Sequence, residues 1–197
     1  MALFGLARSA DPQPLVRGEG VYLRPAIAAD YSAWARLREQ SRAFLAPWEP
    51  TWPSDDLTRS AFRRRLRRQA EDIAADESFA FLIFESTSDE LLGGLTLGGI
   101  RRGVAQAATL GYWMGAPNAG KGRMTRAVAA VVRFGFDTLR LHRIEAACIP
   151  DNAPSIALLE RNGFGREGFA RAYLKINDAW RDHVLLALLE GEAKPLD

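Results

Sequence analysis

A glycine-rich loop between a strand pattern and a helix pattern restricts the fold more than any other segment of this chain. Residues 107–115 (AATLGYWMG) predict a strand, and residues 123–139 (RMTRAVAAVVRFGFDTL) predict a helix with one apolar side. The connecting loop, GAPNAGKG, departs from a nucleotide-binding P-loop only at Gly122, where that motif needs Ser or Thr. A strand, a glycine-rich turn and a helix in this order present free backbone N–H groups at the positive end of the helix dipole. The segment therefore predicts an anion-binding element.

The charges at this helix start bear on which anion the loop binds. Helix starts normally attract Asp and Glu, yet this one has Lys121, Arg123 and Arg126. Each cation there opposes the dipole by roughly 0.3–1 kcal/mol unless an anionic ligand lies among them. A tight turn with solvated cations is the alternative interpretation. A magnesium nucleotide, and with it phosphotransfer, is disfavoured because Gly122 lacks a metal-binding hydroxyl and Pro150 interrupts the next strand. A metal-free pyrophosphate, such as that of coenzyme A, suits the loop better.

Bulk composition restricts the class of protein. The 197 residues suffice for one domain with a substantial core, and we expect a single domain over 1–197 with mobile tails at 1–15 and 191–197. A net charge of +2 gives little support to general nucleic-acid binding, and a lone cysteine excludes an intramolecular disulfide framework. Without a signal-peptide pattern or a membrane-length apolar run, we expect a cytoplasmic protein.

The succession of strand and helix patterns predicts a mixed sheet with helices on its faces, because the strands do not alternate regularly with helices. Asp30 is a candidate N-cap, Gly163 a candidate C-terminal glycine, and Asn177-Asp178 a hairpin turn. In chain order, the expected elements are a strand at 20–25, helices at 30–45 and 54–75, a hairpin over 78–100, a strand at 107–115, a helix at 123–139, a strand at 142–150, a helix at 153–163 and a hairpin over 164–190.

Three motifs together resemble those of the GCN5-related N-acetyltransferases (GNAT). They are LGYWMGAPNAGKGRMTRAV (110–128), HRIEAACIPDNAPSIALLERNGFGREGFAR (142–171) and WRDHVLLAL (180–188). Within that family the chain is most similar to the Rim-type ribosomal-protein-alanine N-acetyltransferases, which acetylate protein N-termini, and FLAPWEP (44–50) is similar to their N-terminal part. The resemblance covers most of the chain beyond about residue 20. It implies an α+β fold with a mixed, largely antiparallel sheet of about seven strands, a splayed central parallel pair and helices on both faces.

The resemblance also implies a binding mode for acetyl-CoA that needs no metal. The splayed strands would be 109–114 and 143–149, with main-chain groups of the first strand pairing with pantetheine in the gap. The loop would bind the pyrophosphate through backbone N–H groups, and the family's Asn-x-x-Ser would open the next helix beside it. Pro117 stands where the family has Gln or Arg. The implied cofactor-binding residues are Tyr112, Trp113, Met114, Ala119, Gly120, Lys121, Gly122, Arg123, Met124, Asn152 and Ser155.

N-acetylation requires a neutral amine, a proton donor for the leaving thiolate and a site for the oxyanion. An α-amino group, with a pKa of about 7.7–8.0, needs only a modest base, whereas a lysine amine at about 10.4 needs more. Many relatives have Tyr four residues after the serine. This chain has Leu159, so the resemblance assigns Ser155 as the general acid. We expect Glu49 as the base, with Glu145 as the alternative and an exposed loop carboxylate as the simpler interpretation of Glu49. The oxyanion would bind the backbone N–H of Met114.

The remaining reactive or charged residues have structural interpretations. His142, His183 and Cys148 lack metal-ligand spacing, and all three are expected to be structural. Residues 59–69 contain six arginines, which form either a solvated helix face or a surface for ribosomal RNA or an acidic substrate. Two tryptophans of the proline-rich loop, Trp48 and Trp52, either line a peptide groove or pack that loop onto the sheet.

The leading prediction is an acetyl-CoA-dependent N-acetyltransferase that acts on a protein N-terminus, such as that of a ribosomal protein. Acetylation of a small amine is the rival within the enzyme class, because relatives change acceptors readily. A non-catalytic acetyl-CoA-binding or ribosome-associated module is the alternative outside it. We expect no DNA and no membrane as partners, and a monomer or a homodimer.

Overall fold

The computed structural model describes residues 15–193, which form one eight-stranded sheet and the helices that cover its faces. The sheet order is β1-β2-β3-β4-β5-β6-β8-β7. The strands are β1 (Val16–Gly18), β2 (Val21–Arg24), β3 (Ser78–Glu85), β4 (Leu91–Arg101), β5 (Ala107–Met114), β6 (Arg143–Cys148), β7 (Gly165–Ile176) and β8 (Ala179–Leu189). The α-helices are α1 (Tyr31–Gln40), α2 (Arg42–Leu45), α3 (Arg59–Ala74), α4 (Arg123–Arg133) and α5 (Ala153–Arg161).

The mixed α+β fold is confirmed, with one strand more than the expected seven. The additional strand, β1, is three residues long, too short for a periodic signal, and it pairs with β2 across Gly18 and Val21. The predicted tails lie mostly outside the described residues. Within the second tail, however, Gly191 belongs to a turn of 3-10 helix over Glu190–Glu192.

The central parallel pair separates as the resemblance implied. Strands β5 and β6 pair in parallel only from Ala107 to Thr109. Beyond Thr109, β5 continues along β4 as far as Met114, while β6 pairs with β8 over its whole length. The two strands therefore diverge towards their carboxyl ends, and α4 and α5 begin beside the gap.

The two faces of the sheet are covered by different helices. One core cluster packs α4 and α5 against the sheet, with fully buried Val128 and Leu159. The other packs α1 and α3 against it, with fully buried Trp34 and Phe62. Since each face is sealed by its own helices, the gap between β5 and β6 is left at the level of the sheet itself.

Two helix starts differ from the expectation. The side chain of Asp30 does not cap α1; it accepts hydrogen bonds from both terminal nitrogens of Arg24 and from the Ile27 N–H. Helix α3 begins at Arg59 instead of residue 54, because Thr58 is its N-cap and accepts a hydrogen bond from the Ala61 N–H.

Other local predictions are confirmed. Gly163 has a φ of 91° after α5, and the turn residues Asn177 and Asp178 both have positive φ, as a type I′ hairpin requires. The predicted helix over 123–139 is α-helical to Arg133 and then forms a π-helical turn over Phe134–Thr138. Among residues 15–193, no helix is long and apolar enough to cross a membrane.

Candidate active site

The gap between β5 and β6 opens into a cavity of about 500 Å3, here called the interstrand cleft. Its walls are the ends of the two strands, the glycine-rich loop and the start of α5. Its lining includes every residue predicted to bind the cofactor: Tyr112, Trp113, Met114, Ala119, Gly120, Lys121, Gly122, Arg123, Met124, Asn152 and Ser155.

The main chain of β5 presents alternate residues to this cleft. The Gly115 N–H donates to the Leu92 carbonyl, and the strand register places Met114 opposite Gly93. Met114 and Gly93 are consequently a non-hydrogen-bonded pair, and the N–H and C=O of Met114 point away from β4. By the same alternation Tyr112 also faces the cleft, whereas the main-chain groups of Trp113 pair with β4. Of the three residues predicted to offer main-chain groups to pantetheine, Tyr112 and Met114 are free to do so. The prediction for Trp113 is wrong, because its main-chain groups pair with β4.

The glycine-rich loop adopts the conformation that its glycines allow. Gly120 and Gly122 have φ angles of 74° and 73°, in the left-handed region, and Gly122 is the N-cap of α4. Within residues 15–193, the N–H groups of residues 120–122 donate to no protein acceptor. Together with the unpaired N–H groups of the first turn of α4, they leave a group of free donors at the place where the sequence predicts an anion.

The cations beside these donors have more partners than the sequence indicated. Arg123 forms an ion pair with Glu85 and also donates to the Asn118 side chain. Lys121 donates to the Pro117 carbonyl. An anionic ligand is therefore not required to explain these charges, and the case for a phosphate site depends on the backbone N–H groups.

Ser155 lines the interstrand cleft from the first turn of α5. The Asn152 side chain caps α5 by accepting a hydrogen bond from the Ser155 N–H at 3.3 Å, which fixes the serine in the first turn. The hydroxyl of Tyr112 lies 2.6 Å from Ser155 Oγ. Cys148 Sγ lies 3.5 Å from the same oxygen, so this buried cysteine lines the cleft as well as the core.

The Tyr112 hydroxyl is the functional group that sequence reasoning missed, because Tyr112 was assigned only a main-chain contact. Burial raises the pKa of Tyr112 well above its usual value, and the hydrogen bond to Ser155 only partly opposes this. Burial likewise raises the pKa of the Cys148 thiol, against a smaller opposing effect of Ser155. Both groups are therefore protonated near neutral pH. At the position where many relatives have Tyr, Leu159 is fully buried.

A second cavity, of about 570 Å3, lies on the sheet face covered by α1 and α3, and we call it the helix-side cavity. It shares four wall residues with the interstrand cleft: Glu49, Gly111, Tyr112 and Trp113. A Cβ at Gly111 would meet no atom within 4 Å, so this glycine leaves open space where the two cavities meet. The two cavities lie on either side of the same stretch of β5.

Glu49 lies where the two cavities meet, and hydrogen bonds fix the orientation of its carboxylate. Its carboxylate accepts hydrogen bonds from both terminal nitrogens of Arg38, at 2.8 and 2.7 Å, and from the Trp52 indole N–H at 2.7 Å. The Arg38 guanidinium lies over the rings of Trp52 and Trp113. The exposed-loop interpretation of Glu49 is therefore wrong, and Trp52 lines the helix-side cavity.

Glu145, the alternative base, and the two histidines differ in where they lie relative to the two cavities. Glu145 forms ion pairs with Arg101 and Arg143 and lines neither cavity. Partial burial acts to raise its pKa, but the hydrogen bonds from the two arginines leave the pKa below its usual value. This surface carboxylate is unsuited to the reaction. His183 is buried and lines the interstrand cleft, with Nδ1 3.0 Å from the Arg181 carbonyl oxygen, whereas His142 lines neither cavity.

Comparisons with known proteins identify the family to which this chain belongs. Residues 21–165 match the family model described as an acetyltransferase (GNAT) domain. The chain is 38% identical to Probable N-acetyltransferase YjcK of Bacillus subtilis over 90% of this chain and 98% of that protein. It is 37% identical to the [ribosomal protein uS5]-alanine N-acetyltransferase of Escherichia coli, over 86% of this chain and 88% of the relative.

A solved structure extends the comparison to three dimensions. Mycobacterium smegmatis RimJ, in complex with CoA-disulfide, superposes with a TM-score of 0.85 at 32% identity, covering 93% of this chain and 90% of that chain. The splayed sheet and the site it creates thus define an acetyltransferase. The chain belongs to the GNAT family and is an N-acetyltransferase of the Rim type.

Proposed function

We propose that this enzyme transfers an acetyl group from acetyl-CoA to the N-terminal α-amine of a protein, with a ribosomal protein as the expected acceptor. The observation on which this depends is the meeting of two cavities at the segment Gly111–Trp113 of β5. One cavity suits an acyl carrier and the other an amine, so the two reactants approach the same strand from different sides. The relation to the E. coli uS5-alanine enzyme supports a protein N-terminus as acceptor.

The residues of the interstrand cleft suit acetyl-CoA, which supplies the acetyl group as a thioester. The N–H groups of residues 120–122 and of the first turn of α4 suit a pyrophosphate. The outward N–H and C=O groups of Tyr112 and the outward C=O of Met114 suit the amide groups of a pantetheine arm. The CoA-disulfide complex of the M. smegmatis neighbour supports this assignment.

One group is assigned to the amine and one to the thioester carbonyl. Glu49 faces both cavities, and we assign it as the base that takes up the amine proton, either directly or through water. Three protein hydrogen bonds already fix this carboxylate, whose two oxygens have about four acceptor positions. The Met114 N–H, directed into the cleft, is positioned to stabilise negative charge on a carbonyl oxygen.

Ser155 is assigned as the general acid that protonates the departing thiolate. Its hydroxyl is within hydrogen-bonding distance of the Tyr112 hydroxyl, so tyrosine can donate to serine as serine gives up its proton. Since burial keeps Tyr112 protonated, the pair has a proton available throughout the physiological pH range. A free thiol has a pKa of about 8.5, so the leaving group needs only modest assistance.

The decisive experiment measures thiol release from acetyl-CoA with purified enzyme and a panel of acceptors. The panel contains peptides that begin with Ala or Ser, the same peptides with blocked N-termini, and small amines such as a polyamine, an amino acid and an aminoglycoside. Turnover of the free-amine peptides, lost on blocking, is the expected result. Turnover confined to small amines would overturn the protein acceptor, and binding of acetyl-CoA without turnover of any amine would overturn catalysis.

A further inference from the structure

The wall of the helix-side cavity has an excess of positive charge. Three arginine side chains line it, Arg38, Arg65 and Arg68, against two carboxylates, Glu49 and Asp56. Arg38 is paired with Glu49, and Arg65 with Asp56 at 2.8 Å. Arg68 makes no hydrogen bond or ion pair with any residue in the range 15–193. The excess charge of the cavity therefore lies at Arg68.

The arginines are close enough to repel one another. Burial lowers the pKa of Arg65, the charge of Asp56 opposes this, and the positive charges of Arg38 and Arg68 lower the pKa further. Such a cluster is stabilised when an anionic ligand lies among its members. Arg68 is itself exposed, so an anion could reach it from solvent without displacing any protein carboxylate.

The wall of the helix-side cavity also contains polar atoms that lack hydrogen-bond partners. Within the described part of the chain, two polar atoms of wall residues, Arg38 Nε and Gln69 Oε1, are buried without a partner. Buried polar groups in folded proteins are nearly always hydrogen-bonded, so an unpaired donor and an unpaired acceptor in one wall need an explanation. Both atoms are buried, so a polar occupant or its water can bond them after a small shift of the wall. An apolar occupant would leave both atoms unpaired.

The distance from Arg68 to the reaction point sets where an anionic group must lie on the acceptor. Helix α3, which contains Arg68, packs over β3, and the reaction point on β5 is two strands away. Adjacent strands are about 4.8 Å apart, so the lateral part of this distance, across the sheet, is about 10 Å. An extended peptide advances about 3.3 Å per residue. Two or three residues with their side chains can span this distance.

We propose that the acceptor bears a carboxylate within about 10 Å of its reactive amine, and that Arg68, with Arg65 behind it, selects for that group. This inference rests on the proposed function and deepens it. In a protein N-terminus, the carboxylate belongs to an Asp or Glu side chain at the second or third residue. The six-arginine segment of α3 is then divided in function: Arg64 pairs with Asp55 on the surface, while Arg68 faces the acceptor.

The test compares peptides that start with Ala and differ only at the second or third residue, as Glu, Gln or Lys. We expect kcat/KM to be about 3- to 10-fold higher for Glu than for Gln and lowest for Lys, as for a partly exposed guanidinium–carboxylate pair. The preference for Glu should shrink as salt is raised, because screening weakens the pair.

A matched pair of variants assigns the preference to one side chain. Arg68→Glu should abolish or reverse the order of the Glu and Lys peptides. Arg67→Glu makes the same charge change at the neighbouring exposed residue, which does not line the cavity, and should leave the order unchanged. Equal melting temperatures would establish that both variants fold. Reversal by both variants would indicate a general field of the helix and would overturn the specific role of Arg68.

The remaining outcomes separate this inference from the proposed function. Equal turnover of the Glu, Gln and Lys peptides would overturn carboxylate recognition and leave N-terminal acetylation intact. If no peptide is acetylated but a small amine with its own carboxylate is, in an Arg68-dependent manner, the protein acceptor is overturned while carboxylate recognition stands. Loss of both activities with retained acetyl-CoA binding would overturn both proposals.

Discussion

The hydroxyl oxygen of Tyr112 lies 2.6 Å from Ser155 Oγ, across the gap between β5 and the first turn of α5. The pair joins the two walls of the interstrand cleft, and the Tyr112 hydroxyl also lies 3.3 Å from the Ser155 carbonyl oxygen. Leu159, where many relatives have a tyrosine, is part of the core. The phenol that those relatives place on the helix is here supplied by the strand, and in the proposed mechanism it acts through the serine.

Removal of either hydroxyl should slow transfer with little effect on acetyl-CoA affinity. We expect Ser155→Ala to lower kcat by about 10²–10⁴-fold, the usual contribution of a positioned acid, and Tyr112→Phe to lower it less. Because the two hydroxyls act together as one hydrogen-bonded proton donor, the double variant should be little slower than Ser155→Ala alone. Additive losses in steady-state kinetics would contradict this coupling.

The pH dependence of the reaction should show a rising limb only. The rate constant should increase through the pKa of the acceptor α-amine, about 7.7–8.0, as the neutral amine accumulates. Burial raises the folded-state pKa of Tyr112 above its unfolded value of about 10, so the donor stays protonated across the assay range. Its contribution to stability is likewise complete below pH of about 10 and declines only above it. A falling limb below about pH 9.5 that disappears in Tyr112→Phe would contradict this assignment.

Features set by neighbouring residues could be predicted from the sequence. The cap that Asn152 provides, the positive φ of Gly163 and the turn at Asn177-Asp178 depend on interactions within a few residues, for which residue type is a sufficient guide. The family motifs then supplied the separation of β5 and β6, which no local pattern indicates.

Pairings between distant residues could not be predicted. Tyr112 and Ser155 are 43 positions apart, and Arg123 and Glu85 are 38 apart. A single sequence shows that Arg123 opposes a helix dipole but not that a carboxylate from the end of β3 compensates it. Glu49 was expected to face the substrate and does line both cavities, but its ion pair with Arg38 depends on how the proline-rich loop packs on α1.

Substitution of Gly122 should weaken acetyl-CoA binding through the backbone. An alanine at a φ of 73° costs about 1–2 kcal/mol, and relief of that strain would turn the loop N–H groups away from the anion. We expect Gly122→Ala to raise the dissociation constant of acetyl-CoA in calorimetry and to lower the melting temperature slightly. Gly165→Ala, in the exposed strand β7, is the control and should change neither. Undiminished affinity in Gly122→Ala would exclude the loop as the phosphate site.

A larger side chain where the two cavities meet should impair acetyl transfer without impairing acetyl-CoA binding. Gly111 shares a strand face with Trp113, so a valine there would project into the helix-side cavity, and its Cβ would meet no protein atom within 4 Å. We expect Gly111→Val to keep acetyl-CoA affinity and to lower kcat/KM for a peptide by about 100-fold through misplacement of the amine. Gly165→Val introduces the same side chain on β7 and should be neutral. Unchanged peptide turnover in Gly111→Val would place the acceptor elsewhere.

The role of Glu49 as a base can be distinguished from its role as the partner of Arg38. Glu49→Gln should lower stability by on the order of 1–3 kcal/mol, since Arg38 is buried and loses its counter-charge. If Glu49 also accepts the amine proton, the rate defect should be large near pH 7 and small near pH 9.5, where the α-amine is already neutral. Glu39→Gln, next to Arg38 in the chain, breaks an exposed ion pair with Arg42 and should leave both stability and rate unchanged. A rate defect in Glu49→Gln of the same size at every pH would assign Glu49 to orienting Arg38 and remove it from proton transfer.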